Sequence, residues 1–94
     1  MKTGIEDKTK KKIISLISAL IPKAKIYLFG SRARGTHSKW SDIDLAIDAE
    51  ERLPTILVGE IIDVLAGTNI IHKIEVVDFH SVSDEMKKSI IEIL

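Results

Sequence analysis

Apolar residues in the first part of the chain recur at helical spacing. Ile13, Leu16, Ile17, Leu20 and Ile21 fall at i, i+3, i+4, i+7 and i+8, a single stripe suited to a core. Thr3 and Glu6 make a candidate capping box at the start, with Asp7 as a competing first-turn acid, and Pro22 ends the helix. The period then changes. Lys25 to Phe29 carries the run Ile26-Tyr27-Leu28-Phe29, which predicts a strand buried on both faces. Gly30 to Lys39 is polar and glycine-punctuated, a turn with a short helical piece expected from Ser31. From Asp42 to Asp48 the chain alternates, with Ile43, Leu45 and Ile47 on one side and Asp42, Asp44, Ala46 and Asp48 on the other.

Pro54 suits the first position of another helix, for which Leu57, Ile61, Val64 and Leu65 supply the buried stripe and Gly67 the C-terminal cap. Ile71 to Phe79 reads as a third strand. Ser83, with Asp84 and Glu85 behind it, starts a last helix that presents Met86, Ile90 and Leu94 along one side. The order α-β-β-α-β-α, with no repeat, linker or low-complexity segment, predicts the α+β class. Helices packed on a small mixed sheet follow, with residues 1–94 as a single domain.

Composition agrees with that picture. A chain of 94 residues that is 45% apolar has enough material for one well-packed core and is too hydrophobic for a disordered segment. It has no cysteine, which excludes disulfides and thiolate metal sites. No apolar run approaches the roughly 20 residues of a membrane span, and no signal-peptide core is evident, so a soluble cytoplasmic protein is expected. His37, His72 and His80 lack the spacing of zinc ligands.

Charge changes the picture more. Up to Ser41 there are ten Lys or Arg against Glu6 and Asp7, and from Asp42 onward four against twelve acids. The net charge is zero, which argues against direct nucleic-acid binding as the main function. The asymmetry fits a basic part that meets polyphosphate and an acidic part that holds cations.

Two short motifs make that concrete. Asp42 and Asp44 lie on one face of their strand with Cα atoms about 6.6–7 Å apart, so both carboxylates can lean toward hard cations. Mg²⁺ takes only one or two protein carboxylates and completes its shell with water and substrate phosphates. Gly30-Ser31, directly after a buried strand, allows a tight turn and close approach of phosphate oxygens to the main chain. The Ser31 hydroxyl adds a donor, and Arg32 and Arg34 add charge. A third carboxylate would complete the set. Asp48 lies about 13 Å along the strand from Asp44, too far to join it. Glu75 and Asp78 fall on opposite faces of the third strand, and alternation alone leaves both open.

The segment Phe29-Gly30-Ser31-Arg32-Ala33-Arg34-Gly35, followed by Ser41-Asp42-Ile43-Asp44-Leu45-Ala46-Ile47, resembles the minimal nucleotidyltransferases of the DNA polymerase beta superfamily. Their hallmark is Gly-Ser, ten intervening residues and Asp-x-Asp, which this chain matches without a gap. The resemblance implies the nucleotidyltransferase fold, with Gly30, Ser31, Arg32 and Arg34 at the nucleotide and Asp42 and Asp44 on two Mg²⁺ ions. It also implies Glu75 as the third ligand, through the run Lys73-Ile74-Glu75-Val76-Val77-Asp78. Aspartate is commoner there, so Glu75 departs from the family by one methylene.

The resemblance further implies AMP transfer from ATP to a hydroxyl. The acceptor it points to is a tyrosine of a HEPN-domain protein from a neighbouring gene, with this chain as the antitoxin of a toxin–antitoxin pair. Two rival readings are a non-catalytic antitoxin that blocks its partner by contact and a transferase for a small molecule or RNA end. The chain shows no acceptor-binding domain, its last helix is expected to run to Leu94 without a further strand, and an oligomer is compatible with the sequence.

Overall fold

The computed structural model describes residues 5–94, so Thr3 and the capping box it would form lie outside the described residues. The first helix, α1, spans Asp7–Leu20 and buries Ile13 and Ile17 completely. Leu20, expected on that stripe, is 38% exposed at the last residue of the helix, while Ile17 and Ile21 on either side stay at the core. Strand β1 (Lys25–Phe29) runs into a five-residue helical turn, α2 (Gly30–Arg34), which Gly35 closes in the left-handed conformation. Strand β2 (Ile43–Asp48) follows the loop, then α3 (Thr55–Ala66), β3 (Ile74–Asp78), a 3₁₀ turn at Phe79–Ser81, α4 (Asp84–Lys87) and β4 (Ile91–Glu92).

The sheet order is β3-β2-β1-β4. β1 pairs antiparallel with β2 and with β4, whereas β2 and β3 run parallel, so the sheet is mixed as expected. The α3 crossover supplies the length that a parallel connection requires. Ile43, Leu45 and Ile47 are fully buried beneath α1 and α3, where they meet Ile13, Ile17, Ile61 and Leu65. Val64 is 37% exposed and lies at the margin of the α3 stripe, outside the core. The second face of the sheet is also covered. Ala46 is buried with Phe29 and Val82, and Tyr27 stacks on Phe79 with ring centroids 4.7 Å apart.

Two expectations about the C-terminal part are corrected. The third strand begins at Ile74, not Ile71, and Ile71 is 79% exposed. The pairing partner of Ile74 is Ile43, where β2 itself begins, and among the described residues only the Lys73 carbonyl before it still bonds that strand, at Ile43 N. The last helix ends at Lys87, and the chain closes as β4 on the outer edge of β1. Without β4 that edge would leave strand donors and acceptors unpaired. Instead Ile93 N donates to Ile26 O at 2.8 Å and Ile26 N to Leu94 O at 3.0 Å. The β-branched run Ile90-Ile91 suits a strand better than a helix. Ser83 caps α4 as anticipated, accepting from Met86 N. No helix among the described residues is long and apolar enough to cross a membrane.

Candidate active site

Three adjacent strands bring the motifs together. β1 ends at Phe29, whose Cα partner on β2 is Asp44, and the Cα partner of Asp44 on β3 is Glu75. The alternation that sends Leu45 and Val76 into the core turns Asp44 and Glu75 to the other face. Gly30 then turns with φ +72°, a conformation that suits glycine. A side chain at Gly30 would collide with the Asp44 carboxylate, so the backbone of the turn lies directly against that acid.

The electrostatics of Asp44 follow from this crowding. Partial burial raises its carboxyl most, followed by a hydrogen bond with Glu75 and the charges of Glu75 and Asp42, and Arg34 pulls the other way. The result is a carboxyl pushed up from 3.8 to about 6. Asp42 sits exposed just before β2, within electrostatic range of Asp44.

Glu75 and Asp78 differ sharply. Glu75 is half exposed beside Asp44, with Lys73 Nζ 3.5 Å from its carboxylate. Asp78 is buried on the opposite face as a structural acceptor, taking hydrogen bonds from Leu53 N and His80 N at 3.3 Å each, with Arg52 3.8 Å away. Asp48 pairs with His80 at 3.2 Å, away from the site.

The two arginines also part ways. Arg34 is exposed and its charge acts on Asp44. Arg32, grouped with it at the nucleotide from the sequence, is buried and bonds the carbonyl of Ser41. A signal for this was present, because residues two apart on a helical turn point to opposite sides. Ser31 is half-buried, and its hydroxyl makes no hydrogen bond among the described residues. Trp40 is 74% exposed, with Lys39 Nζ over its ring. His37 is half-buried, with Nδ1 unpartnered among the described residues.

The family model described as Polymerase beta, Nucleotidyltransferase matches residues 11–93, from within α1 to the last strand. The chain belongs to this family. It is 37% identical over 81 residues to the protein adenylyltransferase MntA of Shewanella oneidensis, which covers 85% of the chain and 58% of that relative. The chain thus spans less than two thirds of that protein's length.

Among solved structures it is similar to a chain of a toxin–antitoxin pair with AMP-PNP, at TM-score 0.75 and 33% identity over 90% of this chain and 72% of that one. A second match, at TM-score 0.73 and 28% identity, covers 96% of this chain and 72% of a chain in the complex of a tri-AMPylated Shewanella oneidensis HEPN toxin with its MNT antitoxin. The nucleotidyltransferase fold expected from the resemblance is therefore the fold of this chain.

The donor set suits a hard divalent cation. Asp42, Asp44 and Glu75 are oxygen donors only, and burial together with the charges of Glu75 and Asp42 raises the Asp44 carboxyl. Among the described residues no group of three or more His, Asp or Glu side chains is drawn together closely enough to hold a metal ion. An open set of this kind matches Mg²⁺, which keeps several positions for water and phosphate.

Proposed function

We propose that this chain is an Mg²⁺-dependent protein adenylyltransferase, a single nucleotidyltransferase core domain acting in the cytoplasm as the antitoxin of a HEPN toxin. It transfers AMP from ATP to a tyrosine hydroxyl of that partner. The observation that carries this reading is the Asp44–Glu75 pair on neighbouring parallel strands with the Gly30 turn packed against it. The relatives support the rest, since one carries the activity in its name, another was solved with AMP-PNP and a third with an AMPylated toxin.

In this reading Asp42, Asp44 and Glu75 hold two Mg²⁺ ions, which supply Lewis acidity and offset the charge of the triphosphate. The acceptor hydroxyl attacks the α-phosphate, its oxygen bonds to phosphorus, and the bond to pyrophosphate breaks. Glu75 takes the hydroxyl proton on a carboxylate oxygen. Gly30 lets the triphosphate approach the main chain, and the Ser31 hydroxyl donates to a phosphate oxygen. Arg34 contributes positive charge beside Asp44. Positioning and charge stabilisation of this kind dominate phosphoryl-group chemistry.

The test is incubation with Mg²⁺, the HEPN protein encoded beside it, and ATP labelled at either the α- or the γ-phosphate. Label on the partner from α-labelled ATP alone is expected. Tight complex formation with no transferred label would instead favour a non-catalytic antitoxin.

A further inference from the structure

Arg32 is 6% exposed, unusual for an arginine in a polar loop. A guanidinium withdrawn from water is costly unless its donors are satisfied. Here Nε donates to Ser41 O at 3.1 Å and Nη2 to the same oxygen at 2.8 Å. Nη2 also reaches Lys39 O at 3.5 Å and His72 Nδ1 at 3.2 Å. Arginine has only donors, so His72 accepts at Nδ1 and carries its hydrogen on Nε2. One side chain thus ties α2, the loop before β2 and the segment leading into β3.

The position of these bonds matters more than their number. Ser41 immediately precedes Asp42, and Ile43 immediately follows it. Ile43 N donates to Lys73 O at 2.9 Å, one residue beyond His72. Asp42 is therefore flanked by two fixed peptide groups, the Ser41 carbonyl held by Arg32 and the Ile43 amide held by the Lys73 carbonyl just before β3. Asp42 itself is exposed and outside the strand, so its own packing does little to fix it. We propose that Arg32 is a positioning residue that sets the Asp42 carboxylate against Asp44 and Glu75 for cation binding. It does so by clamping the carbonyl of Ser41 and does not contact phosphate.

The proposal rests on the reading of Asp42 as a cation ligand. It is tested on the whole folded chain with Mn²⁺ as the probe, followed by electron paramagnetic resonance, and by hydrogen–deuterium exchange over residues 36–42. Arg32→Gln is expected to weaken Mn²⁺ binding about tenfold or more, the scale of groups that orient metal ligands. Exchange in the segment speeds up, and in transfer assays the apparent KM for Mg²⁺ rises while kcat at saturating Mg²⁺ largely recovers. Arg32→Lys, which keeps a donor near Ser41, falls between, and Arg34→Gln leaves exchange unchanged. Should Arg32→Gln fold poorly, His72→Phe releases the outer side of the clamp and gives the same pattern at smaller size.

Equal Mn²⁺ affinity in wild type and Arg32→Gln would overturn the proposal and leave nucleotidyl transfer standing. Weakened ATP binding with unchanged Mn²⁺ affinity would also overturn it, in favour of a phosphate contact. A wild type that takes up no more Mn²⁺ than Asp42→Asn would overturn both the cation site and the proposal.

Discussion

Asp44 and Glu75 occupy paired positions on adjacent parallel strands, where the neighbouring Glu75 adds to the burial that raises the Asp44 carboxyl. Two acids meeting at one register position, with Asp42 nearby, form a locally destabilised site. Such frustration is expected where function and stability compete.

The first consequence is a pH dependence. The folded state holds the Asp44 proton up to about pH 6, whereas the unfolded chain releases it near 3.8. Between those values the folded state binds more protons, so stability falls as pH rises through the window. The ceiling is about 3 kcal/mol, and solvent screening of this half-exposed acid reduces it to about 1 kcal/mol. In chelator at about pH 7.5, Asp44→Asn should therefore melt a few degrees above wild type. At about pH 4 the two should coincide, and melting curves across that range check both points.

Cation addition should reverse the effect. Millimolar Mg²⁺ at about pH 7.5 is expected to raise the melting temperature of wild type by binding the native state alone. The rise should shrink at about pH 5 and be largely absent in Asp44→Asn. Equal shifts in both proteins would place the cation elsewhere.

Gly30→Ala combines a left-handed backbone with a collision against Asp44. The backbone term alone costs about 1–2 kcal/mol. A loss of roughly 10 °C in melting temperature is expected, and ATP turnover should fall further than stability accounts for. Gly35→Ala shares the positive φ but has open space around it, so it should lose stability with turnover per folded molecule nearly intact.

The two acids of β3 should separate cleanly. Glu75→Gln removes a candidate base at little cost in stability, and a loss of about 10²–10⁴ in transfer rate is expected. Asp78→Ala strands the amides of Leu53 and His80, costs about 1–3 kcal/mol, and leaves the rate per folded molecule near wild type. Urea melts paired with initial rates distinguish the two.

Much of the fold was legible because local pattern and tertiary packing agree. The alternation of Ile43, Leu45 and Ile47 and the Ile13–Ile17 stripe point to the core they occupy. β4 was not legible, since Ile91 and Glu92 are a strand only because β1 offers an open edge. At the site, Gly30, Asp42 and Asp44 could be read from spacing. Glu75 was proposed through family resemblance, and the structure sets it in parallel register with Asp44, which alternation along the strand alone could not show. Arg32, read at the nucleotide from the sequence, has its guanidinium turned to Ser41 and His72. Its burial depends on Ser41 and His72, the latter 40 residues away, and no local pattern reports such a contact.

The most direct test is the intact mass of the HEPN partner after incubation with Mg²⁺ and ATP, comparing wild type with Asp42→Asn. Mass additions corresponding to AMP are predicted with wild type and none with the variant, both proteins having equal melting temperatures within a few degrees. An unmodified partner with wild type, or equal modification by Asp42→Asn, would contradict the account.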